Sequence, residues 1–191
     1  MKKLMMLAIA TVVAVCANAA TVSWGAQKGY LYEAGGANKI TSGNAYLMFV
    51  TASYTQSDLV NAFNAAGGDV SATLAAMSAS GAMATGAGTI GANARIEGSG
   101  TYALSGDMNA YFVVFNGGNM YISGETTATY DSVSQSADIP FAAMSTSSKA
   151  AAKDASAGYS AAGWYAAVPE PTSGLLMLVG LAGLALRRRR A

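Results

Sequence analysis

Two pairs of acidic residues are the groups in this 191-residue sequence whose spacing could support catalysis. Glu97 with Asp107, or Glu125 with Asp131, would supply the general acid and the base or nucleophile of a glycoside hydrolase. Isolated carboxylates in a sparsely charged domain are more often surface groups that keep the protein soluble. We therefore expect neither pair to be catalytic, and the sequence predicts a protein that is not an enzyme.

Most other catalytic and metal-binding chemistry is excluded by composition. The sequence contains no histidine, and its single cysteine is Cys16, so Ser-His-Asp triads, thiolate chemistry, disulfides and ordinary zinc sites are ruled out. The spacing of Asp69, Asp107 and Asp131 does not match a calcium-binding loop. Residues 86–91 match G-x-G-x-x-G, but no clear strand precedes them and no helix signal follows, so we interpret them as a flexible loop. We expect no cofactor and no metal.

Tyrosine side chains offer a different kind of chemistry, because exposed aromatic rings can stack on sugars. A carbohydrate-binding module for matrix polysaccharide is therefore an alternative function. Tyrosines at half-buried strand positions would explain the same pattern. The candidates are Tyr30, Tyr32, Tyr102, Tyr121 and Tyr130.

The charge of the central part of the chain argues against nucleic-acid binding. Residues 20–168 contain five basic and nine acidic residues, a net charge of −4. The whole-chain value of +1 is misleading, because most of the basic residues lie at the two ends of the chain. Binding to phosphates needs clustered Lys and Arg, which this region lacks.

Several segments have the pattern of strands. Residues 21–33 are rich in aromatic and β-branched residues, and residues 44–52 are a nearly continuous apolar run typical of a strand buried on both faces. Residues 111–115 and 120–122 flank Asn-Gly-Gly-Asn at 116–119, which predicts a hairpin. Asn-Ala-Tyr followed by four apolar residues begins at residue 44 and again at residue 109. The repeat indicates either a duplicated strand or two strands that independently use the same residue types. The glycine-rich residues 81–100 predict flexible chain with an edge strand near 92–97.

Two segments have the pattern of helices. Ser57 has the properties of an N-cap, and Asp58 in the first turn suits the helix dipole. Leu59, Val60 and Phe63 then share one face, and Gly-Gly at 67–68 ends the segment. A second helix is expected to begin at Asp69. These patterns favour an α+β fold over an all-β one: a small single domain with an antiparallel sheet and two or three short helices on one face.

The N-terminus has the pattern of a secretory signal peptide. A basic start is followed by an apolar segment over residues 4–15 and by Ala-Asn-Ala at 17–19. Cleavage between Ala19 and Ala20, with Ala17 at the other small-residue position, would give a mature chain that begins at Ala20. Cys16 does not favour lipidation, because Val15 stands where a lipobox needs a small residue. Sec-type export machinery and signal peptidase are the expected partners.

The last residues combine three elements in a fixed order. Val168, Pro169, Glu170 and Pro171 are expected to be extended, because each proline disfavours a helical conformation in its predecessor. The apolar helix that follows is roughly 21 Å long if it starts at residue 173, shorter than the roughly 30 Å hydrocarbon core of a bilayer. A basic cluster then fixes the C-terminus on the cytoplasmic side. The apolar residues are Leu175, Leu176, Met177, Leu178, Val179, Gly180, Leu181, Ala182, Gly183, Leu184, Ala185 and Leu186, and the basic ones are Arg187, Arg188, Arg189 and Arg190.

On physical grounds alone this tail is a C-terminal membrane anchor with a basic stop. It also resembles the PEP-CTERM sorting signal of Gram-negative bacteria, which has the same three elements at the end of the chain. The resemblance implies recognition by a membrane-embedded exosortase, removal of the tail near Pro-Glu-Pro, and transfer to the cell surface or extracellular matrix. It further implies association with exopolysaccharide and biofilm.

The sequence therefore predicts four regions. Residues 1–19 are a signal peptide, 20–144 an α+β mature domain, 145–167 an Ala/Ser-rich linker or final strand, and 168–191 a sorting signal with a transmembrane helix. The expected protein is secreted, held briefly in the inner membrane, and non-enzymatic at the cell surface. A secreted hydrolase that uses paired carboxylates is the least favoured alternative.

Overall fold

The computed structural model describes residues 19–26, 29–104 and 106–168. Of these residues, 43% lie in strands and 16% in helices, so the described part of the chain is mostly β. Within these ranges, ten strands and two α-helices follow one another in the order β1, β2, α1, α2, β3 to β10. Their bounds are β1 Ala19–Ala26, β2 Asn44–Phe49, α1 Gln56–Ala65, α2 Val70–Ser80, β3 Met83–Ile90, β4 Ile96–Ala103, β5 Met108–Asn116, β6 Asn119–Ile122, β7 Thr126–Asp131, β8 Ser136–Pro140, β9 Lys153–Asp154 and β10 Gly163–Ala166, with a 3-10 turn at Ala155–Ala157 before β10.

Seven of the strands close into a barrel in the order β2-β3-β4-β1-β8-β7-β5, and β5 returns to pair with β2. Most neighbours are antiparallel, but β1 and β8 are parallel. Strand β5 is the branch point, since one edge pairs with β2 and the other pairs first with β7 and then with β6. Strands β6, β10 and β9 continue the sheet beyond the barrel.

The barrel interior is filled by alternate residues of its strands. Ala20, Val22, Trp24 and Ala26 of β1 are all buried, while the residues between them are more exposed. This period of two is the pattern of a strand with one face in a core. The largest of these four side chains is the indole of Trp24. It stacks against Phe112 at a centroid distance of 6.0 Å.

Two glycines provide the space for Trp24. Gly98 lies directly opposite Trp24 across the β1–β4 pair. A Cβ atom placed on Gly98 would lie 2.5 Å from Trp24 Cε2, and one placed on Gly88 would lie 2.6 Å from Trp24 Cη2. Both distances are far below van der Waals contact, so the ring lies directly on the backbones of β3 and β4.

The helices form a second core on the outer side of the sheet. Leu59, Val60 and Phe63 of α1 pack with Met77 of α2 against the outward-facing side chains of four strands. Strands β2 and β5 therefore have buried residues on both faces, as the sequence predicts for residues 44–52. The outward-facing strand residues are Met48, Tyr111, Val113, Met120, Ile122 and Tyr165.

The helix starts are capped by side chains. Thr55 is the N-cap of α1 and forms a reciprocal capping box with Asp58, so the predicted cap at Ser57 is two residues too late. Asp69 is the N-cap of α2, as predicted, and its carboxylate accepts a hydrogen bond from the Ala72 N–H at 2.7 Å. Gly81, in a left-handed conformation, ends α2.

The predicted α+β class is wrong. The capped helical patterns are real helices, but they cover only part of one outer face, and the remaining sheet closes on itself instead of presenting one face to helices. The glycine-rich residues 81–100 are also neither flexible chain nor an edge strand near 92–97, and residues 86–91 are not a flexible loop. They belong to the β3–β4 hairpin, in which residues 91–95 are the turn, β4 is paired on both sides, and Gly88 and Gly98 accommodate Trp24. The sequence pattern of this segment does not indicate strands, because glycines replace the apolar side chains where the Trp24 ring lies.

The hairpin at residues 108–122 is confirmed, with a tighter turn than predicted. Asn116 and Asn119 pair with each other, so only Gly117 and Gly118 connect the strands. Both glycines have positive φ, 56° and 76°. That combination is typical of the type I′ turn, whose twist matches the two strands.

Candidate functional site

The structure does not bring either predicted carboxylate pair together. Glu97 lies near the start of β4, about 20 Å from the last residue of that strand at the usual rise per residue, and Asp107 lies between β4 and β5. Asp107 Oδ1 accepts a hydrogen bond from the Tyr130 N–H at 2.8 Å. This carboxylate therefore ties the start of β5 to β7.

The second pair is separated in the same way, because Glu125 and Asp131 lie at opposite ends of β7. Glu125 accepts hydrogen bonds from Gln56 Nε2 at 2.6 Å and Asn109 Nδ2 at 2.9 Å. Asp131 accepts from Ser134 Oγ and the Val133 N–H, at 2.7 and 2.8 Å. These hydrogen bonds, that of Ser134 first, lower the pKa of Asp131. Both carboxylates organise local structure.

A different pair of carboxylates does share a pocket. Glu97 and Asp138 line a depression of about 500 Å³ on the outer side of the barrel, together with Ser23 and the ring of Pro140. Gly25 lies between them, because it pairs with Glu97 on β4 and with Pro140 on β8. Glu97 and Asp138 are separated by two strand spacings and by two residues along the strand direction, which puts their Cα atoms about 12 Å apart. We call this depression the Gly25 pocket.

The sequence gives no signal for the Gly25 pocket, since its residues come from three distant segments. Strand β1 brings them together by pairing with β4 on one side and β8 on the other. The parallel β1–β8 pairing is the unexpected step, because a simple meander would not place the first strand beside the eighth. Chemically, the pocket offers hydroxyl and carboxylate groups that can accept hydrogen bonds from a polar ligand.

The tyrosines proposed to bind sugar do not form an exposed platform. Tyr121 is buried, and its hydroxyl lies 2.6 Å from Ser147 Oγ. Tyr102 is half-buried and stacks on Phe49 at 4.3 Å. Tyr130 is half-buried against the barrel core. Tyr30 and Tyr32 are also half-buried, and each ring is covered by a lysine ammonium, that of Lys39 at 3.6 Å and that of Lys149 at 4.4 Å.

In the described ranges, no three His, Cys, Asp or Glu side chains form a group that could hold a metal ion. Among the same residues no helix is long and apolar enough to cross a membrane.

The predicted signal-peptide cleavage point lies at the start of β1. Ala19 pairs with Ala103 of β4, and Ala20 is completely buried in the barrel. The Thr21 N–H donates to the Gln135 carbonyl at 3.0 Å. A mature chain that begins at Ala20 would thus keep nearly the whole strand. Ala17 lies outside the described residues.

The C-terminal end of the body is a strand and not a linker. Trp164 and Tyr165 of β10 are fully buried, and Trp164 Nε1 donates to the carbonyls of Tyr32 and Ser148, each at 3.0 Å. Within residues 145–167, β9 covers Lys153–Asp154 and β10 covers Gly163–Ala166, and the residues between and before them are turns and irregular chain. The Ala/Ser-rich sequence hides this, because the two large aromatic residues occur only at its end.

The chain stays attached to the body up to Val168. The Val168 N–H donates to Asn64 Oδ1 of α1 at 2.9 Å, while the Val168 side chain is exposed. Ala167 packs against the position of Gly68, where an added Cβ would lie 3.3 Å from the Ala167 Cβ. Pro169, Glu170 and Pro171, the apolar segment 175–186 and the arginines 187–190 lie outside the described residues.

Comparison with known protein families identifies this end of the chain. Residues 167–190 match the PEP-CTERM protein-sorting motif. No curated protein and no solved structure matches the chain. The motif marks an exported protein that is anchored transiently in the membrane and processed by an exosortase, as the sequence predicts.

Proposed function

We propose that this protein is a non-enzymatic component of the cell surface or extracellular matrix of a Gram-negative bacterium, associated with exopolysaccharide and biofilm. An N-terminal signal peptide directs it to the Sec-type machinery, and an exosortase then releases it from the inner membrane. The PEP-CTERM motif at residues 167–190 is the observation that carries this proposal.

The chemistry of the body is consistent with a structural role. The sequence has no histidine and has its only cysteine at position 16, so it lacks the histidine base and the thiol of Ser-His-Asp and Cys-His hydrolases. Glu97, Asp107, Glu125 and Asp131 are distributed over strand ends, where Asp107, Glu125 and Asp131 hold backbone or amide groups.

Processing tests the sorting part of this proposal. The full-length chain would be expressed in cells with and without a functional exosortase, beside a variant with Pro169, Glu170 and Pro171 changed to Ala. We expect the wild-type chain to lose its C-terminal tail only where the enzyme is present, and the variant to keep it. Intact Arg187–Arg190 on the surface form, found by mass spectrometry, would contradict this.

Matrix association needs its own measurement. In a strain that cannot make exopolysaccharide, we expect the processed protein to shift from the biofilm matrix to the medium. An unchanged distribution would argue against binding to the polysaccharide, whatever the outcome of the processing experiment.

A carbohydrate-binding function is the second candidate, and the Gly25 pocket favours it. Carboxylates such as those of Glu97 and Asp138 are good acceptors for sugar hydroxyls, and a pocket of about 500 Å³ has the size of a typical small-ligand site. This version of the hypothesis relies on the carboxylates and not on the tyrosines.

Paired amide substitutions test that candidate without changing shape. We expect Glu97→Gln combined with Asp138→Asn to weaken binding to the host exopolysaccharide in titration calorimetry. Glu33→Gln, which changes a half-buried carboxylate outside the pocket, is the matched control. Release of reducing sugar ends by the wild-type protein, lost in the double variant, would instead indicate a hydrolase.

A further inference from the structure

The last described residues lie in a small surface that has almost no side chains. Asn64, Gly67 and Gly68 at the end of α1 face Gly117 and Gly118 of the β5–β6 turn, and the chain leaves the body between them at Val168. An added Cβ on Gly68 would lie 3.6 Å from the Gly118 carbonyl oxygen, so the two segments adjoin. We call these six residues the exit surface.

The glycines of the exit surface are fixed by backbone geometry. Gly67 and Gly68 have φ of 60° and 84°, and Gly117 and Gly118 have φ of 56° and 76°. At Gly67, Gly117 and Gly118 an added Cβ would meet nothing within 4 Å, so these positions face open space. The body therefore presents bare backbone around the point where the sorting motif begins.

Little chain separates the body from the bond that the enzyme must reach. Val168 is held to Asn64, and Pro169 is the next residue. Even fully extended, the chain can carry Glu170 only about 7 Å beyond Val168. A single α-helix is about 10 Å wide with its side chains, which is more than this reach. An exosortase groove that has even one helix as its wall and encloses Pro-Glu-Pro would therefore contact the body.

We propose that the exit surface is the face that contacts the exosortase during processing, and that its glycines allow the enzyme to approach the motif. This inference rests on the exosortase-dependent processing given above, and it adds that the folded body, besides the tail, takes part in the encounter. The partner that binds the exit surface is the membrane-embedded exosortase, because it must bind the residues directly next to the body.

Ala65 offers a probe of this contact. It is the exposed last residue of α1, next to Asn64. Ala79 is a matched control, since it is also exposed and lies in the last turn of α2, roughly 14 Å along the helix from Val70. A charged side chain at either position lies at the C-terminal end of a helix. Only Ala65 adjoins a residue of the exit surface, Asn64.

The experiment measures the half-time of tail removal by pulse-chase in exosortase-containing cells. We expect Ala65→Lys and Ala65→Glu each to slow processing several-fold, and Ala79→Lys to be processed like the wild-type chain. A Gly/Ser linker of about ten residues between Ala166 and Ala167, with a reach of roughly 18 Å, should restore the Ala65→Lys variant while leaving residues 167–190 intact.

Different results would contradict the proposed contact and the exosortase sorting on which it rests. Normal processing of both Ala65 variants would overturn the proposed contact. Slowing by Glu but not by Lys would also overturn it, since that pattern indicates an anionic bilayer surface. A slowed Ala65→Lys chain that unfolds at the wild-type temperature and that the linker does not rescue would also overturn it, because the slowing would then not depend on the body lying next to the motif. A wild-type chain that is never processed would refute exosortase sorting itself.

Gly117→Asn provides a second probe that preserves the fold. Asn-Gly is the preferred sequence of a type I′ turn, so this variant adds a side chain to the exit surface without straining the backbone. We expect it to slow processing with no loss of thermal stability. Unchanged processing would again argue against contact at this turn.

Discussion

At the scale of single residues, the barrel interior depends on the absence of side chains beside Trp24. The ring occupies the space that Cβ atoms on Gly88 and Gly98 would need, which explains why glycines stand at these two strand positions. Glycine usually weakens a strand. Here the loss is offset by the burial of an indole that is only 4% exposed.

Gly98→Ala is therefore expected to destabilise the protein. The new methyl group would lie 2.5 Å from the Trp24 ring and 2.7 Å from Gly88 Cα, so the ring or the backbone must shift. Overpacking of this kind costs about 1–3 kcal/mol. Urea unfolding measures it, with Gly124→Ala as the control, because a Cβ at Gly124 meets nothing within 4 Å. Equal stability of the two variants would contradict this packing.

Two tyrosine hydroxyls in the helix-covered core have no hydrogen-bond partner among the described residues, those of Tyr54 and Tyr111. Burial, followed by the charge of Asp58, raises the pKa of Tyr54 to about 12. Burial also raises the pKa of Tyr111. A raised folded-state pKa means that stability is fully present below the ordinary pKa, near 10, and falls as the pH rises above it.

Tyr111→Phe tests the cost of this burial. An unsatisfied buried hydroxyl costs about 1–3 kcal/mol, so its removal should leave stability unchanged or increase it near neutral pH. The same change should reduce the loss of stability above about pH 10. Denaturant unfolding at neutral and alkaline pH measures both effects. Clear destabilisation at neutral pH would mean that the hydroxyl has a partner, such as a buried water.

At the scale of elements, side-chain caps define where the helices begin. The carboxylate of Asp69 accepts hydrogen bonds from the Ala72 N–H and from Ser71 Oγ. These two contacts, the backbone one first, lower the pKa of Asp69. A lowered folded-state pKa contributes stability above the unfolded-state value, and this contribution is lost as the pH falls through the folded-state value.

Asp69→Asn should make stability less sensitive to acid. Asparagine is also a good N-cap, so α2 keeps its cap, but its side chain does not titrate. We expect the variant and the wild-type protein to differ little at neutral pH and the wild-type protein to lose more stability in acid. Thermal unfolding midpoints over the acid range provide the measurement. Parallel curves for the two proteins would show that this carboxylate does not contribute to acid sensitivity.

Strand β10 completes the sheet next to the tail. Trp164→Ala removes a fully buried ring and two hydrogen bonds, so we expect a loss of about 3–5 kcal/mol. Val133→Ala is the control, because Val133 is 93% exposed and its truncation should change stability by less than about 0.5 kcal/mol. If the two changes had similar small effects, residues 163–166 would behave as a linker.

The repeated Asn-Ala-Tyr segments lie at the start of β2 and within β5, which pair with each other. Leu47 is opposite Phe112, and Tyr46 and Tyr111 each precede that pair by one residue. The two segments are therefore related by the local two-fold axis of the antiparallel pair. The helices follow only β2, so the resemblance does not extend to two halves of the domain.

At the scale of the whole molecule, sequence patterns predict what is local. The two helices, the strand at residues 44–49 and the hairpin turn each follow from contacts between near neighbours in the chain, and the sorting motif is read directly. Barrel closure does not follow from such patterns, because it depends on β1 pairing with β4 and β8. The Gly25 pocket cannot be predicted from such patterns for the same reason, since it exists only after the barrel closes.

The central position of β1 in the barrel also affects how an exported chain can fold. Export delivers β1 first, yet its parallel partner β8 ends at Pro140, late in the chain. Proteins with such distant strand pairings fold in about milliseconds to seconds, and an unpaired strand edge can associate with other chains in that time. Strand β10 emerges last and ends directly before the sorting motif. The sheet can therefore be completed only after nearly all of the chain before the sorting motif has been exported.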